Sequence, residues 1–364
     1  MHTHEHFMEH TLRLALRGTG KVSPNPRVGC TIVKNNVIIG EGWHREFGGP
    51  HAEVDAIRRC TENPAGATAY VNLEPCAHTG KTPPCAPLLI EHGIQKVVLA
   101  MQDPNPLVAG KGIALLQKAG IEVINNICHD EAFWMNRFFV KNILHQSPYI
   151  VGKIAQSLDG CIALSNGESK WISCEESRRE VHRMRNELDA VLIGKSTALQ
   201  DNPSLTVRDV PGRNPMRIIL DSQCTLPDTL HVFNDEYAGL TIYCHGEEYG
   251  NHEIVHSLRQ KGVHTIGCLL NSQQNIDLPL LFRTLSLQFG IGSILVEGGS
   301  GIMSSLLQQS LLDELHVFIA PMIIGNGLHA WNGLNISSLS ESFAMHHKAV
   351  MKSGADIHVL AVKS

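Results

Sequence analysis

The chain has 364 residues, 43% hydrophobic and 18% charged, which at about 150 residues per domain is enough apolar material for two cores and excludes a disordered chain. With 30 basic against 35 acidic residues the formal net charge is -5, which leaves no electrostatic footprint for nucleic acid. No apolar run reaches the length of a membrane span, and the polar start MHTHEHFMEH lacks the order of a signal peptide, so a cytoplasmic protein without membrane or nucleic-acid partners is expected.

Along the chain, VGCTIV and VIIGEGW flank Lys34-Asn35-Asn36 and predict a hairpin. After the Gly-Gly-Pro breaker at 48–50, HAEVDAIRRC predicts a helix with Ala52, Ala56, Ile57 and Cys60 on one face. ATAYVNLEP is a strand, CAPLLIEHG a helix ending at Gly93, KVVLAM a strand, GIALLQKAG a helix closed by Gly120, and IEVI a strand. The alternation is that of an α/β unit with parallel crossovers, and it ends over residues 133–148. The domains are therefore placed at 1–146 and 147–364. The second restarts with YIVGKIAQSLDG, a strand running into a turn, followed by the helix ESRREVHRMRNELD and the strand AVLIG. MRIILDS, LTIYCH and VHTIG are further strands. SILVEGG is a buried strand meeting a glycine turn, followed by the helix MSSLLQQSLLDEL and the strand HVFIAP. This is a second α/β unit.

The 10 cysteines are scattered, and a chain of this length needs no disulfide staples, so they read as free thiols or metal ligands. Three positions carry metal chemistry. His51 stands with Glu53 at the head of a predicted helix, Cys76 follows a strand, and Cys85 heads another helix. A hydrolytic zinc site needs three protein ligands and an open position for water. One histidine and two cysteines supply the three, and Glu53 is placed as a general acid–base. This is the H-x-E … P-C … C signature of zinc deaminases, implying one zinc ion per chain. A structural zinc site with His78 as fourth ligand is the alternative. The spacing is unusual. Zinc deaminases mostly use C-x-x-C, whereas eight residues separate Cys76 from Cys85, and that loop carries His78 and Lys81, which suit an anionic substrate group.

In the second half, Glu297-Gly298-Gly299-Ser300-Gly301 joins a buried strand to a helix, where a phosphate can approach backbone N–H groups. The spacing is not G-x-G-x-x-G, and a ligand-free turn is the alternative. Two motifs are set aside. His6-Phe7-Met8-Glu9-His10 has the letters of an inverzincin site but no third ligand nearby, and Gly80-Lys81-Thr82 lacks the first glycine of a P-loop.

PNPRVGC at 24–30, HAE at 51–53 and PCAHTGKTPPC at 75–85 resemble the deaminase half of the bifunctional riboflavin-biosynthesis deaminase–reductases. KIAQSLDG at 153–160, SKWIS at 169–173, TALQDNPSLTVR at 197–208, RIILDS at 217–222, LVEGGSG at 295–301 and DELHVFIAPMIIG at 313–325 resemble the reductase half, in the same order. The resemblance implies a cytidine-deaminase-like α/β sandwich followed by a dihydrofolate-reductase-like α/β domain. It implies zinc-dependent removal of the 2-amino group of a phosphoribosylaminopyrimidine, then NADPH-dependent reduction of its ribosyl group to ribityl. It places Ala155, Trp171, Thr197, Asp201, Ser222 and the run Gly299, Ser300, Gly301, Ile302, Met303, Ser304 and Ser305 on the cofactor side. Ser169, Arg185, Leu205, Arg208 and Glu297 fall on the substrate side. Arginine forks suit phosphate oxygens, so Arg185 and Arg208 are the phosphate candidates, with ordinary surface arginines as the alternative. Glu297 is placed to pair with a ribose hydroxyl, and Lys153 to polarise the reacting ribose carbon. Asn25 is expected to orient the pyrimidine, and His44 either lines the same pocket or is a surface-turn histidine. A cytidine-type deaminase with an unrelated appended domain and a non-enzymatic zinc protein are the rival readings. The oligomeric state is left open, a homo-oligomer included.

Overall fold

Thr3 caps the first helix, α1 (His4–Leu16), by accepting a hydrogen bond from the His6 N–H, and Phe7, Met8, Leu12 and Ala15 form part of its buried face. The structure, a computed structural model, describes residues 2–77, 84–331 and 333–363. It divides into two units, residues 1–146 and 147–364.

In the first unit β1 (Gly29–Lys34) and β2 (Val37–Trp43) form the antiparallel hairpin. Asn35 and Asn36 turn it with φ of 50° and 65°, the left-handed pair that a tight hairpin turn requires. Then follow α2 (Ala52–Arg58), β3 (Thr68–Leu73), α3 (Cys85–Glu91), β4 (Lys96–Met101), α4 (Lys111–Lys118), β5 (Glu122–Ile124), α5 (His129–Met135) and α6 (Arg137–His145). The sheet order is β2-β1-β3-β4-β5, with β3, β4 and β5 parallel. Successive side chains point to opposite faces, which divides the core in two. Ile32, Ala69, Val71, Val97 and Leu99 pack against α2, α3 and α4, whereas Val33, Tyr70, Val98 and Ala100 pack against α1, α5 and α6.

The second unit runs β6 (Tyr149–Ser157), β7 (Cys161–Leu164), α7 (Glu175–Glu187), β8 (Ala190–Gly194), α8 (Lys195–Asp201), β9 (Met216–Leu220), β10 (Thr241–Gly246), α9 (Glu253–Gln260), β11 (His264–Cys268), α10 (Leu278–Phe289), β12 (Ser293–Val296), α11 (Ser300–Gln308), β13 (Glu314–Ala320), β14 (Gly327–His329), β15 (Met345–Ser353) and β16 (Asp356–Lys363). A nine-stranded sheet has the order β11-β10-β9-β8-β12-β6-β13-β16-β15. It is parallel from β11 to β13, and β16 and β15 close it antiparallel. Ile218, Ile242 and Ile294 face α10 and α11, while Val191, Ile219 and Tyr243 face α8 and α9.

One predicted element is corrected. The helix expected over 303–315 stops at Gln308, and Ser310 turns the chain with φ 55°. Residues 314–320 leave the helical pattern because their backbone groups pair along β6, from Glu314 opposite Val151 to Ala320 opposite Ser157. Leu312 then packs against Gly152, where an added Cβ would stand 2.9 Å from the leucine side chain.

Candidate functional site

The first unit gathers three side chains that could hold a metal ion at the ends of three elements. His51 is the N-cap residue of α2, Cys76 follows β3, and Cys85 is the first residue of α3. Their ligand atoms lie within 4.8 Å of one another. His51 Nδ1 is 3.2 Å from Cys85 Sγ and 3.6 Å from Cys76 Sγ. A tetrahedral zinc with ordinary bond lengths holds nitrogen and sulfur about 3.6 Å apart, so the set fits that ion. The Cys85 backbone N–H, at the start of α3, donates to Cys76 Sγ at 3.3 Å. With the Cys85 thiol also donating to it and His51 adjacent, Cys76 is pulled down to about 4, and Cys85 is pushed up as the partner that keeps the proton.

Glu53 lies in the first turn of α2 and is 3% exposed. Burial, then the negative charge of Cys76, push its carboxyl above the usual range, toward the protonation balance a proton shuttle needs. His44 is buried, so the surface-turn alternative falls. Its Nδ1 donates to the Pro50 carbonyl at 2.9 Å, and its Nε2 accepts from the Asn25 amide at 3.0 Å. The ring meets that of His51 edge-on at 5.8 Å. His78 and Lys81 lie outside the described residues.

The sequence reading passed over Glu74, two residues before Cys76. Its carboxylate accepts the Asp103 and Gly110 N–H groups on one oxygen and those of Gly112 and Ile113 on the other. This ties the end of β3 to the start of α4. Gly112 permits the approach, because a Cβ there would stand 2.0 Å from the Pro75 carbonyl oxygen.

The second unit holds a cleft of 1390 Å³. Ligand pockets commonly measure about 300–1,000 Å³, so this cleft is larger than a single drug-sized ligand requires. Ala155, Trp171, Thr197, Asp201 and Ser222 line it, as do Gly299, Ser300, Gly301, Ile302, Met303 and Ser305. So do Ser169, Arg185, Leu205, Arg208, Glu297 and Lys153. Ser304 does not: it is buried on α11, away from the cleft. No side chain caps the start of α11, and a Cβ at Gly301 would meet nothing within 4 Å. The first-turn N–H groups of this nine-residue helix are thus open to a phosphate, which suits a dinucleotide cofactor.

Arg185 has a partner that the sequence does not announce. Its fork is closed on Glu297, Nε to Oε1 at 2.6 Å and Nη2 to Oε2 at 2.9 Å, and its Nη1 donates to the Thr206 carbonyl at 3.0 Å. Both members of this pair are nearly buried, and each holds the other in its charged form. In this structure Arg185 thus fixes Glu297 in place while its side chain still lines the cleft. Burial first pushes Lys153 down, Glu297 opposes that shift, and Arg185 adds to it. Arg208 is exposed, and its Nη1 donates to Thr206 Oγ1 at 3.3 Å, so it remains the phosphate candidate.

Arg178, His182 and Asp209 also line the cleft and were missed. Arg178 stacks over the Trp171 ring at 4.6 Å. The available signal was helical spacing, since 178, 182 and 185 fall on one face of α7.

Among known proteins, residues 1–101 match the cytidine and deoxycytidylate deaminase zinc-binding region and residues 148–359 match the RibD C-terminal domain. The chain is 41% identical over 354 residues to the riboflavin biosynthesis protein RibD of Aquifex aeolicus, spanning 97% of this chain and 96% of that one. It is 39% identical over 371 residues to the Escherichia coli protein of the same name, spanning 97% of each. The solved structure of Acinetobacter baumannii RibD, form 1, superposes with a TM-score of 0.89 at 37% identity, covering 99% of this chain and 98% of that one. A diaminohydroxyphosphoribosylaminopyrimidine deaminase/5-amino-6-(5-phosphoribosylamino)uracil reductase from Thermotoga maritima superposes with a TM-score of 0.87 at 38% identity, with the same coverage.

Proposed function

The chain belongs to the family of bifunctional riboflavin-biosynthesis deaminase–reductases, and from that premise we propose that residues 1–146 carry the deamination, at His51, Cys76, Cys85 and Glu53, and residues 147–364 the reduction. It is an enzyme of riboflavin biosynthesis that deaminates and then reduces. It is built from a cytidine-deaminase-like zinc domain and a dihydrofolate-reductase-like reductase domain. The substrate is 2,5-diamino-6-(5-phosphoribosylamino)pyrimidin-4(3H)-one. The intermediate is 5-amino-6-(5-phosphoribosylamino)uracil, and the product carries ribityl in place of ribosyl. The Thermotoga relative's name describes the same pair of steps.

In the first step His51, Cys76 and Cys85 would hold the metal, which when bound would make water acidic enough to act as a nucleophile near neutral pH. Glu53 takes the water proton as the oxygen adds to the pyrimidine carbon bearing the amino group. It then delivers that proton to the departing nitrogen. Its burial keeps the shuttle away from bulk water. Asn25, held by His44, orients the ring. The observation that carries this reading is the convergence of three ligand atoms with a buried carboxylate two residues from one of them.

In the second step NADPH supplies the hydride, and the protein supplies position and charge. The uncapped start of α11 would hold the cofactor's phosphates, and Trp171, Thr197, Asp201 and Ser222, which line the same cleft, would complete its side. Arg208 holds the substrate phosphate. Lys153 polarises the ribose carbon, with Glu297 fixed beside it by the Arg185 fork.

Among the described residues no helix is long and apolar enough to cross a membrane, and all ten cysteines are free, which suits a reducing cytoplasm. The test is a coupled assay on the diaminopyrimidine phosphate. Without NADPH the deaminated uracil accumulates, and with NADPH the ribityl product forms. Reduction of the undeaminated substrate at the same rate would overturn the order.

A further inference from the structure

Three basic side chains that line the reductase cleft converge on one buried residue, Thr206. The Thr206 carbonyl accepts from Arg185 Nη1 at 3.0 Å and from His182 Nδ1 at 3.1 Å. Thr206 Oγ1 accepts from Arg208 Nη1 at 3.3 Å. All three basic residues line the cleft. Their charges are not equally available. Arg185 is neutralised by both oxygens of Glu297, which leaves Arg208 as the cation facing outward. His182 lies on α7 three residues before Arg185, with its side chain only 7% exposed. The carbonyl fixes a hydrogen on Nδ1, so Nε2 is the atom that titrates.

Resting on the reductase reading above, we propose that His182 is a further substrate-binding group of the cleft, whose Nε2 takes up a proton when the substrate's phosphate monoester docks beside Arg208. A monoester is mostly dianionic above neutral pH, with a second pKa of about 6, and Arg208 offers it one positive charge. A protonated His182 supplies the second, together with a hydrogen-bond donor at Nε2.

The surroundings set the direction of the change. Burial first, then Arg185 on the same helix and Arg208 in the following loop, lower the imidazole's affinity for a proton. Asp209, whose Oδ2 stands 3.3 Å from Nε2, and Glu297 after β12 pull the other way. A dianion entering between His182 and Arg208 adds to the acidic side of this balance and raises the imidazole's affinity for a proton. The proton comes from buffer, and no bond to the substrate is made or broken. Because the bound form holds the extra proton, substrate affinity falls as pH rises through the bound-state pKa.

The test uses the full-length zinc-loaded enzyme and the deaminated uracil substrate. Binding without NADPH is measured calorimetrically at pH 7.5 in buffers of different ionisation enthalpy. Wild type is expected to take up a large fraction of one proton. His182→Asn, whose amide nitrogen can replace Nδ1 on the Thr206 carbonyl, is expected to take up none. The reductase KM should rise about tenfold in His182→Asn at pH 7, with the gap closing toward pH 9 as wild type loses the proton. His182→Gln is the second variant if the first does not fold. With the dephosphorylated riboside, wild type and variant should bind alike. Proton uptake that survives the substitution overturns the proposal, as does an equal penalty on phosphorylated and dephosphorylated substrates. A wild-type enzyme that performs no NADPH-dependent reduction overturns the reductase reading itself, and this proposal with it.

Discussion

The two halves place their chemistry differently. In the first, three ligand atoms lie within 4.8 Å of one another, and the proton shuttle is two residues from one of them. In the second, the groups that would hold cofactor and substrate are spread around 1390 Å³, from Lys153 on β6 to Ser305 on α11. A metal that activates water needs a few donors of fixed type at bond length, and one shuttle, so each residue there is close to indispensable. A cofactor that brings its own hydride asks the protein for placement, and placement is shared among many contacts. The comparison therefore predicts all-or-none losses in the first half and graded losses in the second.

The largest effect should come from Cys76→Ala. Zinc content by atomic absorption and deamination should both disappear, while reduction of supplied 5-amino-6-(5-phosphoribosylamino)uracil continues at the wild-type rate. Full zinc occupancy in that variant would remove Cys76 from the ligand set. Glu53→Gln should keep zinc and lose about 10²–10⁴-fold in deamination, the usual worth of a general acid–base. A variant within a few-fold of wild type would show that another group moves the proton.

Gly112→Ala probes the support behind the metal centre. Its Cβ would collide with the Pro75 carbonyl at 2.0 Å, so the segment leading to Cys76 or the start of α4 must move. Displacements near 1 Å cost about 10²-fold in well-placed sites, and deamination should fall on that scale with the reductase untouched. Arg208→Ala should be the mildest, raising the reductase KM about ten- to a hundred-fold with little change in NADPH affinity. Lysine at 208 should rescue in part, since a point charge lacks the fork. Weakened NADPH binding with an unchanged substrate KM would move this loop to the cofactor side.

The same contrast governs what could be read from the letters alone. His51, Glu53, Cys76 and Cys85 were legible because metal chemistry restricts residue type and because each stands at a helix start or strand end with its own pattern. The β1–β2 hairpin was legible through Asn35-Asn36, whose positive φ angles suit their side chains. The pairing of Arg185 with Glu297 was not, because the partners are 112 residues apart and either letter alone suggests an open ligand contact. Glu74 carries no signal of its own within ATAYVNLEP, and only the tertiary fold brings four backbone N–H groups onto it. The helix over 303–315 ran too far because SLLDEL continues an apolar helical period, and pairing with β6 overrode it. The strand β15 gave no period at all. Both its faces are largely exposed, so alternation had no core to report.

The central claim is that metal chemistry serves one reaction and not the other. Its most direct test is stepwise removal of zinc from the full chain with a chelator, with both activities measured on each sample. Deamination should fall in proportion to zinc per chain and return on adding the metal back. Reduction of the pre-deaminated substrate should stay constant throughout. Deamination that persists in zinc-free enzyme, or reduction that falls in step with the metal, would contradict the account.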